Sequence, residues 1–131
     1  MSLSNQFGAM TALSLLNAVD AANTAASSSA YVAVTGYEGQ VAVICDIGVI
    51  DDGSLTITFS TATDDQGAGA ATIVPVNGAI AAITTSNDVA TYIAIFNTSQ
   101  LLGYLKVIGT KASAGGTLVS YSLLGRKKYV P

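Results

Sequence analysis

The side chains able to do chemistry in this chain are few, and most of them are carboxylates. The acids stand at Asp20, Glu38, Asp46, Asp51, Asp52, Asp64, Asp65 and Asp88, and they adjoin only at Asp51-Asp52 and Asp64-Asp65. Loop carboxylates suit calcium, an ion that takes oxygen ligands at alternating positions of a loop. Adjacent acids point apart and that spacing is missing, so both pairs read as solvated turns. A glycosidase pair drawn from them has nothing to fix its carboxyl separation. The chain also has no Trp with which to line a sugar site. His is absent, which removes histidine-based triads and histidine-bound metals. Cys45 is the single cysteine, so no disulfide forms within the chain. Its place in an alternating apolar run marks a small core hydrophobe, not a nucleophile. Neither glycine-rich phosphate loop is present. Asn97-Thr98-Ser99 has the form of a glycosylation acceptor but carries no weight without a secretory signal. The expectation is a protein without catalytic residues, cofactor, metal or small-molecule substrate.

The remaining polar feature is basic. Lys106, Lys111, Arg126, Lys127 and Lys128 all fall late in a chain whose net charge is −3. Three adjacent cations could meet nucleic acid or an acidic protein surface. Without a wider basic patch they read as a solvated tail after the last strand, and no nucleic-acid partner is expected. Charged residues make up 10% of the chain and hydrophobic ones 50%, against roughly 25% charge in ordinary soluble domains. Much of the apolar excess is alanine, yet too few charges remain to cover a monomer. Either the chain enters a membrane or other chains bury part of its surface. No run of about 18–20 apolar residues is free of Asp, Asn, Gly or Ser clusters, which argues against a membrane helix. The segment from Phe7 to Leu16 has the look of a signal-peptide core, but no Lys or Arg precedes it. A cytoplasmic product that assembles with other chains is expected.

These residues need elements to position them, and the elements read as strands. In Tyr31–Ile50, Val32 and Val34 alternate with smaller residues, Gly36 and Gly39 bracket a turn, and Val41, Val43, Cys45 and Ile47 share one face. Asp51-Asp52-Gly53-Ser54 predicts a hairpin. Leu55, Ile57 and Phe59 then face a core, with Thr56, Thr58 and Ser60 outward. Ile73–Val76 is a short strand whose Pro75 confines it to an edge or a bulge. Asn77-Gly78 turns the chain, and strands follow over 79–83 and 89–96. Leu102–Thr110 places Leu105 and Val107 on one face and Lys106 on the other. Thr117–Leu124 directs Val119, Tyr121 and Leu123 inward. About eight short strands separated by turns predict one all-β domain, an antiparallel β-sandwich with jelly-roll topology as one option.

Residues 1–28 differ from the rest. Ala12, Leu15, Val19 and Ala22 fall at helical spacing, and an Ala/Ser/Thr-rich stretch follows. The segment is expected to be an N-terminal arm, a short helix or an extended piece, ahead of a β-sandwich over 29–131 with its basic tail. The arm packs on its own domain or reaches a neighbouring subunit.

Several segments together resemble one family. They are Asp20-Ala21-Ala22-Asn23-Thr24, Val34-Thr35-Gly36-Tyr37-Glu38-Gly39, Thr63-Asp64-Asp65 and Ser122-Leu123-Leu124-Gly125-Arg126-Lys127-Lys128-Tyr129. They are similar to capsid decoration (cement) proteins and related small head components of tailed bacteriophages, over most of the chain from about residue 20. Relatives often carry a basic stretch before the strand of Lys106, where this chain reads Leu101-Leu102-Gly103-Tyr104. The resemblance implies a β-sandwich subunit, commonly a homotrimer, made in the host cytoplasm and carried on the capsid surface of the virion. Its partner would be the major capsid protein. Phe7, Leu15 and Val19 of the arm and Arg126, Lys127, Lys128 and Tyr129 of the tail are the candidate interaction residues. Two other readings stand beside it. A carbohydrate- or receptor-binding jelly roll would gather Tyr31, Tyr37, Tyr92, Tyr104 and Tyr121 along a groove. A tail-tube or head-completion protein would assemble through its sheets into rings.

Overall fold

A computed structural model describes residues 10–20, 28–112 and 117–128. Eight strands account for most of them: β1 Met10–Asp20, β2 Val32–Ala33, β3 Tyr37–Ile47, β4 Leu55–Ala62, β5 Ala71–Ile73, β6 Ala90–Asn97, β7 Tyr104–Lys111 and β8 Leu118–Lys127. One 3-10 turn, Thr98–Gln100, lies between β6 and β7. Among the described residues no helix is long and apolar enough to cross a membrane. The strands form two four-stranded sheets, β1-β8-β3-β6 (sheet A) and β2-β7-β4-β5 (sheet B). Every pairing is antiparallel. The neighbours β1·β8, β2·β7, β3·β6 and β4·β5 are those of one long hairpin rolled up on itself. That is the jelly-roll arrangement among the sandwich topologies.

Alternation builds the core. Val41, Val43, Cys45 and Ile47 of β3, Ala94 and Phe96 of β6, and Val119, Tyr121 and Leu123 of β8 are all buried. They meet Leu55, Ile57 and Phe59 of β4 and Leu105 and Val107 of β7 from the opposite sheet. Phe59 and Phe96 join the sheets edge to face, with centroids 5.0 Å apart. The inward positions named from the sequence on β3, β4, β7 and β8 hold.

Sheet edges are capped by side chains and loops. Val76 N donates to Ile95 O at 2.7 Å, and Asn77 both accepts from Ile95 N and donates to Ile93 O. The Asn77 amide thus imitates a strand along the free side of β6, which a bare edge would leave open to other chains. On sheet B, Ser29 exchanges bonds with Val107, and the Ser28 hydroxyl accepts from Gly109 N. A bridge between Leu55 and Ile83 closes the far side of β4.

Six local expectations change. Met10–Asp20 is a strand paired with β8, not a helix; the extended reading of the N-terminal segment is the one that holds there. Gly36–Gly39 is not a turn around Tyr37-Glu38. The reversal falls at Thr35-Gly36, and β3 already starts at Tyr37. Gly39, at φ +70, then sits in a bulge between Glu38 and Val41. Asp51–Ser54 carries the chain from sheet A to sheet B and closes no hairpin. Segment 79–83 contributes only the bridge at Ile83, and the strand expected at Ile73–Val76 is Ala71–Ile73. The basic tail is not a tail at its start, because β8 continues through Arg126 and Lys127.

Candidate functional site

The outward positions of sheet A form two rows across its strands. Ala12, Leu124, Ala42 and Ile95 make one, and Ser14, Ser122, Ile44 and Ile93 the next. Leu124, Ala42, Ile44 and Ile95 are half-buried and Ile93 is exposed. No ionisable side chain interrupts these rows. Val76, whose N–H bonds the β6 edge at Ile95 O, is a further exposed aliphatic residue beside that strand. The flanking rows are polar. On one side Arg126 pairs with Glu38 at 3.2 Å, both near half exposure, and Gln40 donates to Asn97. On the other, the Thr91 hydroxyl donates to Asp46 at 2.6 Å, with Ser120 beside Asp46 in register.

Beyond Asp46 the sheet ends in a notch. Gly48 N donates to Leu118 O at 2.8 Å, and Val89 N donates to Gly48 O at 3.3 Å. Gly48, with no side chain, is therefore the floor between Leu118 and Val89, which are 59% and 67% exposed and form the walls. The depression holds about 470 Å³ and reaches Asp46, Thr91 and Ser120. Val89 has φ +50, a costly conformation for a β-branched residue. Its own N–H is bonded to Gly48 O, and the carboxylate of the preceding Asp88 accepts from Ile50 N at 2.7 Å. At the opposite end, a depression of about 410 Å³ is bordered by Thr35, Tyr37, Leu101, Leu102 and Lys128.

The candidate residues named from the sequence fall into separate places. Leu15 is half-buried against the core. Val19 pairs with Val119 through the backbone, and its side chain lies outside the described residues. Phe7 and Tyr129 lie outside them altogether. Arg126, Lys127 and Lys128 are exposed together at one end, where Lys128 N donates to Gly36 O. The acid pairs serve turns. Asp64 accepts from Gln66 N and Ala68 N, and Asp52 offers its carbonyl to Lys111 Nζ. No group of three metal-ligating side chains occurs among the described residues.

Cys45 is fully buried, and desolvation, with a smaller contribution from Asp46, pushes its thiol up to about 12. Burial, then Cys45, likewise raises Tyr121. Among the described tyrosines, only Tyr37 borders either of these two depressions. Tyr31 stands under Lys106 and shares a hydrogen bond with Ser60, and Tyr92 donates to Asn87 O.

Sequence reasoning missed the aliphatic face. Its signal was present: Tyr92–Phe96 is apolar at every position, and a strand without alternation is one with two faces to cover. The notch left no such trace, because Gly48, Val89 and Leu118 are distant in sequence. No protein-family model matches the chain, and a search of curated proteins finds no significant relative.

Proposed function

We propose that this chain is a non-enzymatic structural protein of a tailed-phage virion. In this reading it lies on the outside of the capsid and stabilises the shell by burying surface between major capsid subunits. The observation that carries the reading is the outer face of sheet A, with Ile44, Ile93, Ile95 and Leu124 uninterrupted by charge. Covering such a face removes apolar surface from water, a gross gain of about 25 cal/mol per Å² from which the entropy and desolvation costs of association are subtracted. Binding only to the assembled shell then stabilises that shell by mass action. The segments that resemble decoration proteins, Gly36–Gly39 and Leu123–Lys128 among them, support the same reading, and a homotrimer on the virion surface is part of it. The test is to incubate the purified full chain with heads of the phage that encodes it and to pellet the heads. Saturable co-sedimentation and a higher temperature of DNA release are expected. A chain that stays in the supernatant, and that mass spectrometry does not find in purified virions, overturns the proposal.

A further inference from the structure

We infer that the notch over Gly48 is a self-association site that receives a lysine side chain from the basic end of a second copy of this chain. The notch has the form such a side chain needs. Leu118 and Val89 give two exposed aliphatic side chains, Gly48 between them has none, and Asp46 adds a carboxylate to the lining. A lysine buries its methylene stem along apolar surface while its ammonium stays with an anion or water. Thr91 already orients Asp46 through a hydrogen bond at 2.6 Å. The wall residue Val89 keeps a bulky, exposed side chain in a conformation that glycine would adopt without strain.

The charges on the rest of the molecule choose the occupant. Arg126 is taken by Glu38, Lys111 by the Asp52 carbonyl, and Lys106 lies over the Tyr31 ring. Among the described residues, Lys127 and Lys128 are the cations whose side chains no acid, carbonyl or ring engages, and both are exposed. They cannot reach the notch of their own molecule. Leu118 and Lys127 are the two ends of β8, about 30 Å apart at a strand's rise per residue. The end that carries the notch also carries Asp46, Asp51, Asp52 and Asp88, grouped by the bonds of Gly48, Ile50 and Lys111. Acidic end to basic end is therefore the complementary arrangement, and it joins two different patches. Such a heterologous contact closes into a ring or continues as a row, depending on its rotation. The contact is between copies and does not depend on a shell being the other partner.

The experiment is sedimentation velocity on the full chain over a concentration series, at about 20 mM and about 500 mM salt, since exposed charge pairs are screened at the higher value. Two variants accompany it. Asp46→Lys spoils the notch and leaves the basic end; the double change Lys127→Glu with Lys128→Glu does the reverse. All three positions are exposed, and unchanged thermal melting confirms that the variants fold. The wild-type chain is expected to associate at low salt and to weaken about tenfold or more at high salt. Each variant alone is monomeric. An equimolar mixture forms a one-to-one heterodimer and stops there, because only one intact notch and one intact basic end remain. A wild-type chain monomeric throughout the series overturns the inference. So does a variant that still associates, or a mixture that does not pair.

Discussion

At the scale of single residues, two glycines, Gly36 and Gly125, are there for different reasons. A Cβ on Gly125 would stand 2.7 Å from Tyr37 Cδ1 and 2.8 Å from Val41 Cγ1, and both of those side chains are buried. Nothing lies within 4 Å of a Cβ on Gly36. Gly125→Ala is therefore expected to cost about 1–3 kcal/mol, the usual range for overpacking, and to lower Tm by several degrees. Gly36→Ala stays within about 0.5 kcal/mol. Equal losses in thermal melts would remove the steric account. Cys45 makes a prediction about pH. Its thiol ionises near 9.0 in an unfolded chain but only at about 12 in the fold. Above pH 9 the unfolded chain has lost a proton that the folded one keeps, so stability falls as pH rises from about 9 towards 12. Tyr121 is shifted in the same direction. Urea midpoints across that range should decline, and less steeply in Cys45→Ala. At about pH 8 a thiol reagent should leave folded Cys45 untouched and react once the chain is unfolded.

Elements are where the sequence was read best and where it misled. Strands with strict alternation were legible, because a period of two leaves one solution for each side chain: Leu55-Ile57-Phe59 and Val119-Tyr121-Leu123 face the core as expected. β1 was not. Its register slips against β8 between Ser14 and Leu16 and again between Leu16 and Val19. Each slip adds a residue to one strand, so apolar positions drift from a spacing of two towards the three and four of a helix. The bulge at Gly39 hid the start of β3 in the same way, because a glycine with positive φ looks like a turn when no partner strand is known. The 73–77 segment shows an element replaced by a side chain. Asn77 holds the edge of β6 through Ile93 O and Ile95 N. Asn77→Ala should cost about 1–2 kcal/mol for the two lost bonds and leave that edge able to pair with other chains. Chemical denaturation would read the first effect and light scattering on heating the second. A variant as stable and as soluble as the parent would assign the edge protection to Val76 alone.

Over the whole molecule, the scarcity of charge has a definite location. With net charge −3 and few ionised groups, the chain places them mainly at the two ends and in loops, and leaves the middle of sheet A to Ala42, Ile44, Ile93, Ile95 and Leu124. The core lies on the other side of those strands, so this face adds little to the sandwich itself. Aliphatic side chains there contribute to folding only what partial contact with their neighbours gives. Ile93 is already 51% exposed, and Lys in its place keeps its stem on the sheet with the ammonium in water. Ile93→Lys should thus change stability by no more than about 0.5–1 kcal/mol. On a covered face the same ammonium would have to be desolvated without a partner, which costs several kcal/mol. The variant is therefore expected to melt like the parent and to lose binding to phage heads in the pelleting experiment by about a hundredfold or more. Arg126→Ala, at the polar margin, removes only a surface ion pair and should weaken binding by no more than a few fold. If Ile93→Lys binds as well as the parent, the face is not the binding face of the proposal; if it unfolds, the face belongs to the core after all. Only stable folding with lost binding fits a jelly roll whose second aliphatic face is kept for another protein.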